Sequence, residues 1–378
     1  MNNTTIYLDH AANALVRQEV LDVFQATNIT YIANPNASHA LGKQAWERQE
    51  TANANIAAYF GVKPNELIYT SGATEANNLA IKGLAYANRQ YGKHIISSYL
   101  EHSSVLGSLM ALQEEGFEVE FVDILDDGSI NLEHLSQLLR KDTILVTLAA
   151  VDSEIGLHQD IASIYALVKK LPHCAFHTDA TQSIGKLPIN AAHYAALTCS
   201  PHKFGGLNGF GLLILKEQHL ITPQIHGGIS NTPYRSGTPV LPMICALETA
   251  LALCQQTASD NLVKLTTFHA ILHSFFGSFQ DIVINSKPNG SPYIVNISFK
   301  TIKGDQLMEK LSEQQIYVST KSACCAVNTP SKPVLALTKS RKLALSTLRI
   351  SMGPETTEHE IEQFKKVFQE QYHMLGGK

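Results

Sequence analysis

The chain has 378 residues, 44% apolar and 16% charged, and its 29 basic and 33 acidic residues leave a net charge of -4. That length predicts roughly two or three domains with large buried cores. The balanced charge, without a dense Lys/Arg block, excludes a polyanion-binding surface, so nucleic acid is not expected as a direct ligand. Residues 1–10 lack the basic-then-apolar layout of an export signal, and no apolar run approaches the about 18 residues of a membrane span. A soluble, cytoplasmic protein with no membrane partner is expected. Cys174, Cys199, Cys245, Cys254, Cys324 and Cys325 form no C-x-x-C pair, and four of them lie in apolar or helical contexts where a thiol behaves as a small hydrophobe. A disulfide framework is not expected.

From about residue 52 to 215, strand-like apolar runs alternate with helix-like segments, the pattern of an α/β domain with a mostly parallel sheet. Strands are predicted over 66–70, 94–98, 118–122, 143–149, 175–179, 195–199 and 211–216. Leu79, Ile81, Leu84 and Ala85 mark a helix over 74–88, and another falls over 132–140. Open sheets of this kind bind ligands at the C-terminal ends of their strands. After a turn-rich stretch at 225–239 comes a long helical segment, 244–273, and then strands at 292–299 and 315–319 with helices at 304–312 and 358–374. These form a smaller α+β domain, and the chain shows no internal repeat, low-complexity tract or long linker.

Several segments carry chemistry. Ser71-Gly72-Ala73-Thr74-Glu75 follows a strand and opens a helix, a capped start whose N–H groups and dipole suit a phosphate, or an ordinary helix N-terminus. His102 follows the strand at 94–98, where an imidazole could stack on a planar cofactor or move protons, or simply sit satisfied at the surface. Asp179, closing the run 175–179 and followed by Gln182, needs a cationic partner if buried, unless it caps a helix. His173, Cys174 and His177 alternate with apolar residues, which puts them on or beside a strand and argues against a metal site. Lys203 closes Cys199-Ser200-Pro201-His202-Lys203 at the end of the next strand. An amine and a carboxylate at neighbouring strand ends, joined by one crossover, are what a pyridoxal-phosphate (PLP) enzyme needs: one to hold the cofactor as a Schiff base, the other to keep its ring nitrogen protonated.

Cys324 lies in the polar, Pro-punctuated loop 319–333, a setting suited to a nucleophile, with a metal-binding or merely tolerated cysteine pair as the other reading. Cys324 and Cys325 are only ~3.8 Å apart at Cα, too close for an unstrained disulfide. Arg349 interrupts an apolar run, where it could clamp a carboxylate or point to water.

Taken in order, these segments resemble the cysteine desulfurases of the NifS/IscS group within the class V aminotransferases. The resemblance runs nearly end to end, through Tyr7-Leu8-Asp9-His10-Ala11-Ala12, Asn34-Pro35, Ser38-His39, Gly42, Ser71-Gly72-Ala73-Thr74-Glu75, Glu101-His102, Glu154-Ile155-Gly156, Asp179 with Gln182, Ser200 with His202-Lys203, Arg235-Ser236-Gly237-Thr238, Ser322-Ala323-Cys324 and Leu348-Arg349-Ile350-Ser351. It implies a fold-type I PLP-dependent transferase. Residues 14–257 would form the large domain around a seven-stranded, mostly parallel sheet, and 1–13 with 258–378 the small domain carrying the cysteine loop.

The resemblance also implies roles. Lys203 would be the Schiff-base lysine and His102 would stack on the ring. Asp179 would bind the ring nitrogen and Gln182 the phenolic oxygen, beside Ser153. Ala73, Thr74, Ser200 and His202 would hold the phosphate, joined by Thr238 from the other subunit of a homodimer. Arg349 would take the substrate carboxylate, near Asn34. Cys324 would attack the sulfur of L-cysteine, leaving alanine and a persulfide for a sulfur-acceptor protein, as in iron–sulfur cluster assembly. No metal is implied.

The chain departs from the group at several places. Asp152-Ser153 stands for Asn-Asn, Asn13-Ala14 for Thr-Thr, Ile229 to Thr232 for a glycine and a charged run, and Lys321 for a glycine, while the longer C-terminal tail of housekeeping members is missing. These changes point to a specialised desulfurase, in which Lys321 could lower the Cys324 thiol pKa. The alternatives are a PLP-dependent C–S or selenocysteine lyase that does not require Cys324, and a PLP-binding subunit without turnover.

Overall fold

The structure is a computed structural model that describes residues 5–229, 232–321 and 329–377. Its strands are β1 (Ile6–Tyr7), β2 (Leu67–Thr70), β3 (His94–Ser97), β4 (Glu118–Phe121), β5 (Thr143–Thr147), β6 (Ala175–Asp179), β7 (Ala196–Cys199), β8 (Gly211–Leu215), β9 (Ile282–Ile284), β10 (Ile294–Phe299), β11 (Ile316–Tyr317) and β12 (Thr347–Ser351). Strands β2 to β8 form the expected seven-stranded sheet, in the order β2-β8-β7-β6-β5-β3-β4. Strand β8 runs antiparallel to β2 and β7, and the other pairs are parallel. Every residue of β5, β6, β7 and β8 is buried, because parallel strands with helices on both faces have no solvent side.

Alternate residues feed two apolar layers. Ile68, Ile95, Leu145, Ala175 and Leu213 pack against the helix Ala73–Asn88 through Ala76, Leu79 and Leu84. Tyr69, Ile96, Val146, Phe176 and Leu212 face Val20, Ala52 and Ile56 of the helices Gln18–Thr30 and Ala40–Phe60, together with Ile244 and Leu251 of the helix Leu241–Gly277. The exposed edge strand β4 is blunted by acid residues, and Arg140 forks onto Glu118 at 2.9 and 2.6 Å.

A separate apolar core gathers around the antiparallel sheet β12-β10-β9. It joins Leu8 from the N-terminus to Leu265, Phe276, Ile297, Leu348, Phe364 and Phe368. The 37-residue helix Leu241–Gly277 runs through both cores. Elements expected from the sequence differ mainly at their ends. The strand expected over 315–319 is short, with Ser319 making an isolated bridge to Arg349. The helix expected over 132–140 stops at Leu138, freeing Arg140 for its acidic neighbours.

A Cβ on Gly211, at the start of β8, would come within 2.5 Å of the Gly72 backbone and 2.6 Å of Thr70 Oγ1, so the turn before the helix Ala73–Asn88 sits directly on this glycine. Gly211→Ala is expected to cost ~1–3 kcal/mol in denaturant unfolding, the usual range for overpacking. Gly107→Ala, in a helix with open space around the position, is expected to be neutral or to stabilise by up to ~1 kcal/mol.

Glu101 is buried, accepts from Ser98 Oγ at 2.7 Å and Ala149 N at 3.1 Å, and leaves Oε2 without a partner among the described residues. Burial first, against those two hydrogen bonds, pushes its carboxyl up to about 8. The folded state thus holds this proton more tightly than the unfolded chain, where glutamate titrates near ~4.3. The resulting stability is fully present below that value and is lost as pH rises toward 8. Glu101→Gln, which is neutral throughout, should flatten the fall in Tm between about pH 5 and 8 by roughly 2–4 °C, and parallel profiles for variant and wild type would contradict the assignment.

Candidate active site

Strands β6 and β7 lie side by side with Asp179 opposite Thr198, so the chain leaves both at the same edge of the sheet. There a cavity of about 370 Å³ opens, lined by Lys203, Asp179, His102, Ala73, Thr74, Ser153, Gln182, His202 and Arg349. Nine residues singled out in the sequence are thereby brought together from six separate segments. Ser200 lies just beneath, fully buried, donating from Oγ to Phe210 O at 2.9 Å and therefore accepting from His202 Nδ1–H at 2.8 Å.

Asp179 is fixed on both oxygens. Oδ2 accepts from Asn77 Nδ2 at 2.8 Å and Oδ1 from Thr181 N at 3.0 Å. The same Asn77 amide donates to Ser104 Oγ at 2.9 Å, and Ser104 Oγ meets His102 Nδ1 at 2.9 Å. His102 Nδ1 also accepts the Ser104 N–H at 3.2 Å, capping the helix Ser103–Glu114. Its Nδ1 is therefore an acceptor, and the neutral ring carries its proton on Nε2. Burial, outweighing the pull of Asp179, lowers the His102 pKa below the ordinary range. His202 is lowered further, to about 4, by burial and by the charges of Lys203 and Lys186. Both shifts favour the neutral imidazole.

Lys203 Nζ donates to the carbonyl oxygens of Ala11 and Ala12 at 2.9 and 2.6 Å. Gln182 Nε2 reaches the same Ala11 carbonyl at 2.9 Å. Arg349, 2% exposed, donates to Ser153 O at 2.9 Å and Asp9 Oδ1 at 2.8 Å, so the strand arginine points inward. At the helix start, Glu75 accepts from Ser71 N and pairs with Arg235 at 2.9 Å. Burial works to raise the Glu75 pKa, but those partners outweigh it and hold the carboxyl below its usual range.

Asn34 and Thr238 are exposed and do not line this cavity within the chain. Cys324 lies outside the described residues. Lys321 Nζ binds the carbonyl and hydroxyl of Thr329 at 2.8 and 3.0 Å. Asn77, Ser104, Thr181 and the Ala11–Ala12 carbonyls were not singled out in the sequence. For Asn77 a signal existed, since it is an amide on the buried face of an otherwise apolar helix; backbone carbonyls leave none.

The cavity fits a phosphorylated aromatic cofactor. It offers an amine, a carboxylate and an imidazole around one space. It also has the entrance turn at Gly72, whose φ of +156° favours glycine, followed by helix N–H groups with no partner inside the helix. Thr181 also lines the cavity, and its backbone N–H holds Asp179 Oδ1 at 3.0 Å.

Among curated relatives, the cysteine desulfurase IscS of Proteus mirabilis is 38% identical over 366 residues, covering 94% of this chain and 90% of the relative. That of Neisseria meningitidis serogroup C is 34% identical, covering 95% and 90%. A solved structure described as a NifS-like protein superposes with a TM-score of 0.92 at 30% identity, covering 98% of this chain and all of the other. SspA in complex with cysteine gives 0.80 at 32%, covering 94% of this chain. A family model described as Aminotransferase class-V matches residues 6–364. The chain belongs to the class-V aminotransferase family.

Proposed function

We propose that this protein is a PLP-dependent cysteine desulfurase that converts L-cysteine to L-alanine and carries the released sulfur as a persulfide on Cys324. The observation that carries the reading is the single cavity in which Lys203 and Asp179 meet at adjoining strand ends. Relatives named as cysteine desulfurases, aligned over nearly the whole chain, support it. When bound, pyridoxal phosphate supplies an electron sink for bond breaking at the substrate's Cα and Cβ.

The side chains divide the remaining work. The Lys203 amine would anchor the cofactor and then move the substrate's Cα proton. Asp179, held by Asn77 and Thr181, would keep the ring nitrogen protonated, and His102 would cover the ring face. Gln182 would donate to the phenolic oxygen. Ala73, Thr74, Ser200 and His202 would hold the phosphate, with Thr238 added from a partner subunit. Arg349, held by the Ser153 carbonyl, would bind the substrate carboxylate, and Asn34 is proposed as a second substrate-binding residue although it does not line the cavity within the chain. The Cys324 thiolate would attack the substrate sulfur: an S–S bond forms, the C–S bond breaks, and its electrons stay with the substrate carbon, which takes a proton. Carbon is reduced and thiol oxidised, so no outside oxidant is required. Lys321, bound to the Thr329 carbonyl, precedes Cys324 by three residues in the sequence, and its charge would favour that thiolate.

The proposal extends to the assembly. Residues 14–257 would form the large domain, and 1–13 with 258–378 the small one. A homodimer is supported by the exposure of Thr238 and by the exposed Ile32, Leu41 and Trp46 on or beside the N-terminal helices. Among the described residues no helix is long and apolar enough to cross a membrane, and a cytoplasmic location is part of the proposal. The persulfide would pass to a sulfur-acceptor protein, with iron–sulfur cluster assembly the destination implied by the resemblance.

Incubation with L-cysteine followed by mass spectrometry should show one added sulfur on the peptide containing Cys324, with equivalent alanine, and neither in Cys324→Ala. Pyruvate and ammonia with an unmodified loop would establish the lyase reading instead. Asn77→Ala removes a hydrogen bond to the Asp179 carboxylate worth ~1.5–3 kcal/mol, so kcat/KM should fall roughly 10- to 100-fold with the fold intact. A steady-state assay alongside thermal unfolding checks it.

A further inference from the structure

Lys186 sits one short turn beyond Gln182, 7% exposed, and the steps above leave it unused. Its Nζ donates to Gln182 Oε1 at 2.7 Å. The other edge of that amide, Nε2, donates to the Ala11 carbonyl at 2.9 Å, and that carbonyl also accepts from Lys203 Nζ at 2.9 Å. An asparagine or glutamine amide can flip end for end, exchanging donor for acceptor. Here an amine lies on one side and a carbonyl on the other, so one orientation alone satisfies both. A flipped Gln182 would set its oxygen against the Ala11 oxygen and its NH₂ against the Lys186 amine.

Burying an amine is costly unless its partners repay it, and the surroundings of Lys186 add to the cost. Lys203 and Arg349 repel its charge, Cys254 opposes them weakly, His10 lies close enough to feel it, and the Tyr293 ring is 5.7 Å away. Burial first, then the two cations, lowers its pKa to about 7. The contact with Gln182 survives loss of the charge, since a neutral amine still donates.

We propose that Lys186 is a positioning residue for the cofactor: it locks the Gln182 amide with the N–H edge toward the cavity, where it can serve the cofactor's phenolic oxygen. This rests on the assignment of Gln182 to that oxygen made above. A donor at this oxygen favours its deprotonated form, so loss of the lock should raise the pH at which the bound cofactor's visible absorption band changes.

The test is a pH titration of that band in the reconstituted holoenzyme. Lys186→Met and Gln182→Ala should each raise the midpoint by about half to one pH unit. The double variant should move no further than either single one, because both act through one bond. Lys186→Arg, which keeps a donor, should restore the wild-type midpoint. Where Lys186→Met fails to fold, Lys186→Gln, polar but too short to span the gap, makes the same comparison. A wild-type midpoint in the Lys186 variant while Gln182→Ala shifts it overturns the inference alone. Unshifted midpoints in both overturn the Gln182 assignment and the inference with it. A wild-type protein that takes up no cofactor overturns the cofactor reading as a whole.

Discussion

Asp179 is an acid at the end of a fully buried strand, and the geometry of the cavity follows from how it is kept there. A buried carboxylate without compensation is among the costlier things a fold can contain. Here Asn77 and Thr181 occupy one oxygen each, which leaves the carboxylate oriented but its charge unneutralised by a direct ion pair among the described residues. The Asn77 amide then continues through Ser104 to His102, so the acid, the ring and the start of the helix Ser103–Glu114 are set by one chain of hydrogen bonds. Parallel pairing of β6 and β7 brings Lys203 to the same edge. The two groups share a cavity because the sheet's register makes them share it.

Positive charge is arranged around this carboxylate in a graded way. Lys203 faces the cavity, Arg349 is tied to Asp9 and a backbone carbonyl at its rim, and Lys186 stands behind the Gln182 amide. The imidazoles of His102 and His202, pushed down by burial, add no further charge. In the proposed arrangement, Asp179 would hold a protonated ring nitrogen and the N–H groups at the start of the helix Ala73–Asn88 would hold a phosphate.

Much of this arrangement could be read in the sequence. The strands that end at Asp179 and, four residues before Lys203, at Cys199 show as short runs with apolar residues and turn residues at their ends, and the small-residue turn at Ser71–Gly72 announces a helix N-terminus. Less legible were the helices Gln18–Thr30 and Ala40–Phe60, whose apolar faces are thin and rely on packing against Leu241–Gly277 for their stability. Backbone acceptors were invisible altogether: Ala11 and Ala12 contribute carbonyl oxygens, and no side chain marks such a position. Lys186 carries no signal in the sequence, because nothing local distinguishes an exposed ammonium from one enclosed by distant Tyr293 and Arg349.

The departures from the desulfurase pattern gain physical meaning from the same bonds. Arg349 binds the carbonyl oxygen of Ser153 and not its side chain, so replacing an amide by a hydroxyl at this position leaves the guanidinium's support intact and changes only what faces the cavity. At position 152 the acid for amide exchange is absorbed differently. Asp152 Oδ1 accepts the N–H groups of Glu154 and Ile155 at 3.0 and 2.5 Å, and burial raises its pKa to about 7. When protonated, the Asp152 carboxyl presents one acceptor and one donor edge, as an amide does. The segment therefore keeps its hold on Arg349 through a main-chain carbonyl that substitution does not touch, and its turn through Asp152 Oδ1, an acceptor that aspartate and asparagine both supply.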